Sequence, residues 1–266
     1  MGDTWVAQKA FIDGMLRPIE AALVDRISTM NPRDVLDVGC GTGATTAAIA
    51  RRLGEDGSCV GIDLSEAMIR HARAINGSDA QRAKFIAADA SSYRFDKHQF
   101  DLVCSRFGVM FFGDPINAFS NLRSAVKEEA RLLLTVWRAP EPEDFMWAGK
   151  QAIARIVPES DPPPPHAPGP FSFGDATRVR KILESSGWDE LTFFPRDFAC
   201  RFAASDLDLF IEKLAPLGVD LESLDQRTAK QVREAAHQAY QPFVDESVVR
   251  FTAPVWIIEG RASTVQ

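Results

Sequence analysis

A short apolar run that ends in alternating glycines is the strongest constraint in this chain: Val35-Leu36-Asp37-Val38 leads directly into Gly39-Cys40-Gly41-Thr42-Gly43. A run of this length, mostly apolar and closed by glycine, reads as a strand buried on both faces, as in a parallel sheet. Glycine lets the backbone turn tightly and approach a ligand. The helix expected next, with Ala44, Ala47, Ala48 and Leu53 on one face, opens with free N–H groups. Strand, glycine turn and helix in that order point to a bound cofactor.

The same alternation continues down the chain. Cys59 to Ile62 reads as a strand and Glu66 to Ile75 as a helix, with Met68, Ala72 and Ile75 along one face. Lys84 to Ala87, Phe100 to Ser105 and Arg131 to Trp137 read as three more strands, and the stripe Phe119, Leu122, Val126 predicts the helix before the last of them. A helix marked by Val179, Ile182 and Leu183 ends at Gly187. Leu191 to Phe202 and Val248 to Ile258 add two strands. Strands alternating with helices imply parallel pairing and right-handed crossovers. The fold expected is α/β: a doubly wound, Rossmann-like, seven-stranded, mostly parallel sheet with helices on both faces, plus an inserted helical lid.

Composition narrows the partners. The 266 residues are 45% hydrophobic and 25% charged, ordinary for a globular protein, and the formal net charge of -7 provides no positive field to gather phosphates. Nucleic acid is not an expected partner. Arg51-Arg52 and Arg178 with Arg180-Lys181 read as solvated helix faces. Cys40, Cys59, Cys104 and Cys200 show no close paired spacing, which argues against a metal site or a disulfide framework and for a reducing cytoplasm. No run of about 18 apolar residues and no leader pattern is seen, so neither a membrane partner nor targeting is expected.

Which cofactor the glycine turn serves is a question of charge. GCGTGA also satisfies the dinucleotide pattern, and Asp63 follows at the spacing of a ribose-binding acid, so those two features alone leave NAD open. Asp37 separates the readings: a carboxylate beside a pyrophosphate is repulsive, whereas a cationic amino acid headgroup would be attracted to it.

At this point a family resemblance becomes specific. VLDVGCGTG, GIDLSEAMI (Gly61 to Ile69), FIAADA (Phe85 to Ala90) and FDLVCSRFGVMFF (Phe100 to Phe112) resemble, in order and spacing, the successive motifs of class I S-adenosylmethionine-dependent methyltransferases. The similarity runs from Pro32 to about Trp137. It is nearest to small-molecule enzymes of the ubiquinone/menaquinone methyltransferase type.

The resemblance implies a set of roles. Asp37 and the backbone of Gly39, Cys40 and Gly41 would hold the methionine part of S-adenosylmethionine, and Gly43 would let the following helix pack closely. Asp63 would accept both ribose hydroxyls. Leu64 and Met68 would flank the adenine, Asp89 would accept from its amino group, and Ala90 would touch the ring through its backbone. Ser105 and Arg106 would lie near the reactive methyl group, and S-adenosylhomocysteine would be the product. Blander readings stand beside these: Asp63 and Asp89 as strand-end turn residues, Met68 as helix core, Arg106 paired with an acidic neighbour. The chain departs from the family where Lys127-Glu128-Glu129-Ala130 replaces the usual Pro-Gly-Gly turn, remote from the cofactor. It also lacks the Asn-Pro-Pro-aromatic motif of amino-group methylation.

For domain organisation, residues 1–31 are expected to form an N-terminal helical lid segment, and 32–204 with 248–266 the methyltransferase core. Residues 205–247 are expected as a helical insertion over the acceptor pocket. The core would carry a long proline-rich loop, 138–173, without regular structure because proline removes donors and fixes backbone angles. Phe107, Met110, Phe111, Trp147, Phe171 and Phe210 are the apolar candidates for the acceptor pocket. None of His71, His98, His166 and His237 is assigned as a base, so the catalytic residue stays unassigned. The expected function is methyl transfer to oxygen or carbon of a small hydrophobic acceptor; the alternatives are a non-catalytic S-adenosylmethionine-binding protein and an NAD-dependent oxidoreductase.

Overall fold

The computed structural model describes residues 6–76, 82–141, 144–158, 164 and 166–263. They divide into two compact units. The first comprises 1–138, 166–196 and 255–266, and the second 139–165 and 197–254.

In the first unit, helices α1 (Lys9–Met15) and α2 (Arg17–Met30) precede β1 (Asp34–Val38), α3 (Ala44–Arg52), β2 (Ser58–Asp63), α4 (Glu66–Ile75), β3 (Ala83–Ala87) and β4 (Phe100–Arg106). A 3-10 turn at Gly108–Phe111 leads to α5 (Pro115–Ala125) and β5 (Val126–Trp137), and α7 (Ala176–Ser185) follows later. The long strands β6 (Trp188–Ala203) and β8 (Val248–Ala262) begin or end in this unit. The sheet order is β3-β2-β1-β4-β5-β8-β6. The β1–β2, β1–β4, β2–β3 and β4–β5 pairs are parallel, and β8 runs antiparallel to β5, from Trp137 opposite Val255 to Arg131 opposite Arg261. The expected mostly parallel α/β sheet is thus observed. Reversal of chain order on either side of β1 and β4 places their carboxyl ends at the switch point where such sheets bind ligands.

The core of this unit explains why the central strands read as unbroken apolar runs. Val35, Cys59, Phe85, Leu102, Cys104 and Leu133 from the strands meet Ile49 of α3, Ile69 and Ala72 of α4, and Leu23, Val24 and Ile27 of α2 in one buried cluster. Thus α2 is part of the core, where the sequence suggested a separate N-terminal lid. Its apolar stripe spans one face at i, i+1, i+4 and is spent against the sheet. Side-chain caps start several helices: Ser65 accepts from Met68 N, Asp114 from Asn117 N, and Asp175 from Thr177 N and Arg178 N.

Two expectations fail here. Val126 is not on a helix: α5 stops at Ala125, and Val126 pairs with Phe100 in the sheet. The Lys127–Ala130 segment is then absorbed as a bulge, since the next pair is Leu102 with Arg131, and Glu129 takes a left-handed φ of 58° where the family turn has glycine. Lys127 Nζ bridges Asp34 Oδ2 at 3.1 Å and Asp101 Oδ1 at 2.9 Å, tying down the amino ends of β1 and β4. The second failure is the structureless 138–173 loop, which contains helix α6 (Phe145–Ile153). Of the proline tract beyond it, Asp161, Pro162, Pro163 and Pro165 lie outside the described residues.

The second unit has its own core. It holds α6, the end of β6, α8 (Leu207–Lys213), α9 (Gln226–Tyr240), and β7 (Val244–Asp245) paired antiparallel with the start of β8. Phe145 is its centre, with ring centroids 4.3 Å from Phe251, 4.8 Å from Tyr240, 5.0 Å from Phe210, 5.1 Å from Phe243 and 6.1 Å from Phe202. The unit is therefore larger than the expected 205–247 insertion, because α6 and the ends of two long strands supply rings to the same cluster.

Candidate functional site

The site is assembled where β1 ends. Gly39, Gly41 and Gly43 all adopt left-handed φ, of 70°, 56° and 82°. A Cβ on Gly43 would sit 2.6 Å from the Phe85 ring, so the third glycine is required for α3 to approach β3. The turn's first amides are engaged within the fold: Gly39 N and Cys40 N both donate to Ile62 O, at 2.8 and 3.1 Å, and Gly41 N donates to Asp63 Oδ2 at 2.9 Å. Those three donors of the turn are engaged inside the fold.

Asp37, 1% exposed, accepts from Thr46 Oγ1 at 2.6 Å. Burial pushes its carboxyl up to about 6, against the Thr46 hydrogen bond and the Arg106 guanidinium, while Glu20 and Asp63 add to the rise. A desolvated carboxylate next to a glycine turn whose Gly39, Cys40 and Gly41 amides are already engaged suits a cationic amino acid headgroup and opposes a phosphate. This is the fit expected of S-adenosylmethionine. Burial raises the Cys40, Cys59 and Cys104 thiols well above their ordinary value, which keeps them neutral.

Asp63 closes β2. Besides Gly41 N, it accepts from Ser65 N at 2.8 Å through Oδ1, so the turn role and a ligand role are compatible in one carboxylate with two acceptor oxygens. Leu64 beside it is 76% exposed, the most exposed of the large apolar side chains among the described residues. Met68 is half-buried, with Sδ 3.6 Å from where a Cβ on Gly41 would be. Asp89 is exposed and accepts from Ser91 N at 2.8 Å. Ala90 is buried, and its carbonyl, with that of Tyr93, accepts from Asn121 Nδ2 at 2.9 Å.

After β4 the outcome is mixed. Ser105 is engaged within the fold: fully buried, it donates to Val38 O at 2.7 Å and accepts from Gly108 N and Val109 N. Its hydroxyl joins the ends of β1 and β4. Arg106 lies 3.6 Å from Asp13 of α1 and 3.6 Å from Glu20 of α2, the paired alternative. Phe107 has a left-handed φ of 68° and stacks on Trp137 at 4.7 Å. Phe111 is 54% exposed, whereas Met110 is core at 1%. Phe171 and Trp147 are half-buried, the latter in the second unit. Phe210 is a ring of that unit's aromatic core and not a free pocket wall.

Of the histidines, His71 on α4 is half-buried, and His98, His166 and His237 are exposed. Sequence reasoning missed Thr46, Glu20, Asp13 and Gly108. Thr46 carried a weak signal as a polar residue on an otherwise alanine-rich helix face. The two acids are indistinguishable in sequence from solvated helix charges.

Fold and site together define an α/β protein whose glycine turn is built for a cationic nucleoside cofactor. The Methyltransferase domain family model matches residues 35–129. Aklanonic acid methyltransferase DauC of Streptomyces sp. (strain C5) is 30% identical over 53% of this chain and 68% of that protein. Nocamycin O-methyltransferase of Saccharothrix syringae is 27% identical over 71% of each. A ubiquinone/menaquinone biosynthesis C-methyltransferase, UbiE of Marinomonas sp. (strain MWYL1), is 28% identical over 57% of the chain and 58% of its own length. Among solved structures, the YcgJ protein of Bacillus subtilis superposes with a TM-score of 0.60 at 16% identity, over 92% of this chain and 100% of that one, a likeness of fold. The chain belongs to the S-adenosylmethionine-dependent methyltransferases of small-molecule type. Among the described residues, no helix is long and apolar enough to cross a membrane.

Proposed function

We propose that this methyltransferase holds S-adenosylmethionine along the carboxyl ends of β1, β2 and β3 and methylates an oxygen or carbon of a small hydrophobic acceptor. The observation that carries the cofactor pose is the engagement of the Gly39, Cys40 and Gly41 amides beside buried Asp37. Asp37 receives the ammonium group, the Gly39–Gly41 backbone lies along the methionine part, and Asp63 accepts from the ribose hydroxyls. Leu64 and Met68 bracket the adenine, with Asp89 and the Ala90 backbone at its edge.

Bound S-adenosylmethionine supplies an electrophilic methyl group on a positively charged sulfur, so the departing sulfide needs no proton. The task left to the protein is alignment and exclusion of water, and orientation of this kind is worth on the order of 7–11 kcal/mol. Phe107, fixed against Trp137, and exposed Phe111 are the apolar surface offered to the acceptor in the first unit. The acceptor class draws support from the relatives named for aklanonic acid, nocamycin and ubiquinone/menaquinone.

Calorimetric titration with S-adenosylmethionine, S-adenosylhomocysteine and NAD in parallel tests the cofactor pose. Micromolar binding of the first two and none of NAD is the expected result; NAD binding alone would overturn it. Transfer of a labelled methyl group to hydroxylated polycyclic and quinol acceptors, compared with amines, then tests the acceptor class.

A further inference from the structure

Arg106 sits two residues beyond Cys104, the residue paired with Asp37 across β1 and β4. Side chains alternate along a strand, so Arg106 is on the same face of the sheet as Asp37. Its side chain is 14% exposed, and its guanidinium is 3.6 Å from Asp13 Oδ1 and 3.6 Å from Glu20 Oε2. Both separations exceed hydrogen-bonding range, and Nη1 is buried without a hydrogen-bond partner. Leaving a buried guanidinium nitrogen unbonded is costly, and a structural clamp would have been built as a bidentate pair. What this arrangement does supply is a fixed positive charge in a poorly solvated place, where its field on a neighbour is stronger than in water.

The neighbour is Asp37. It is faced by Thr46 from α3, Arg106 and Cys104 from β4, Cys59 and Asp63 from β2, Cys40 from the glycine turn and Glu20 from α2. The thiols are neutral and Glu20 and Asp63 are negative, so Arg106 is the one cation in this set among the described residues. Glu20 also accepts from Thr45 Oγ1 at 3.4 Å, one residue before the Thr46 hydroxyl that bonds Asp37.

We propose that Arg106 is a positioning residue for cofactor recognition: held between Asp13 and Glu20, it keeps buried Asp37 ionised so that Asp37 receives the cofactor's ammonium group. The inference rests on the assignment of Asp37 made above. It gives α1 and α2 a part in binding through the two carboxylates that hold the guanidinium, without contact between those carboxylates and the ligand.

The test is calorimetric binding of S-adenosylhomocysteine to the full chain from pH 5 to pH 8. Wild-type affinity falls as the pH drops through about 6, where Asp37 takes up a proton. Arg106→Met moves that midpoint upward by about one unit, so affinity drops about threefold at pH 6.5 and about tenfold at pH 5, and recovers toward pH 8. Arg106→Lys, which keeps the charge, restores the wild-type profile. An Arg106→Met loss that is equal at every pH overturns the proposal, because it means direct ligand contact or damage to the fold. Should Arg106→Met not fold, Arg106→Gln, which keeps a polar head without the charge, decides, and a midpoint that stays at the wild-type value is the overturning result. Asp37→Asn separates the two readings. A wild-type profile in that variant defeats the Asp37 assignment itself, whereas a flattened one with Arg106→Met unmoved defeats only the role of Arg106.

Discussion

Gly39 and Gly108 meet backbone to backbone where β1 and β4 end: a Cβ on Gly108 would lie 2.6 Å from Gly39 Cα and 2.5 Å from Val38 O. Neither obstacle is a side chain that could swing aside. Gly39 adds a left-handed φ of 70°. Gly39→Ala and Gly108→Ala are each expected to lower unfolding free energy by more than about 2 kcal/mol, through clash and strain together. Urea denaturation measures it, and a loss under about 0.5 kcal/mol at either site contradicts the close approach.

Leu64 separates binding from stability. At 76% exposure it contributes little to the fold, so Leu64→Ser should leave the thermal midpoint within about 1 °C of wild type. Loss of one apolar face of the adenine should weaken S-adenosylhomocysteine about tenfold, equivalent to ~1.4 kcal/mol. Unchanged affinity by calorimetry would remove Leu64 from the cofactor site.

Asp37 gives a pH signature without any ligand. Its carboxyl is raised in the folded state to about 6, so between its unfolded value near 4 and that point the native chain binds more protons than the unfolded one. Its contribution to stability therefore falls as pH rises across that window. Asp37→Asn removes the titration, and its stability relative to wild type should climb from pH 4 to pH 6 by up to ~3 kcal/mol and then level off. Urea curves at several pH values report this difference; a constant offset means Asp37 titrates normally.

Phe145→Ala tests the second unit's core. Removing the ring that touches five others should destabilise that unit by about 3–5 kcal/mol. Pulse proteolysis with identification of the fragments locates the loss. Cleavage is expected within 139–165 and 197–254, and protection of those segments equal to wild type is the contrary outcome.

The sheet was legible because buried parallel strands must be apolar throughout, and α4 was legible to its last residue because its face repeats at helical spacing between Ser65 and Asn76. Val126 misled because an apolar residue three or four places after Leu122 fits a helix stripe as well as a strand start. The periodicity argument has no access to the Phe100 pairing that decides between them. Helix α6 was hidden by prolines that lie beyond it. In the site, Asp37, Asp63 and the glycines declare themselves by spacing, since the chemistry needs them within one strand–turn–strand unit. Asp13 and Glu20 do not, because their importance comes from meeting Arg106 across more than eighty residues of chain.

The internal hydrogen bonds of Gly39, Cys40 and Gly41 also say something about how such loops diverge. In this turn the Gly39, Cys40 and Gly41 amide protons are claimed from within the fold. Here one claimant is a single side chain, Asp63, at the end of the next strand. The glycine motif thus records a backbone shape, while a residue outside it, Asp63, decides whether the Gly41 amide is left to a ligand.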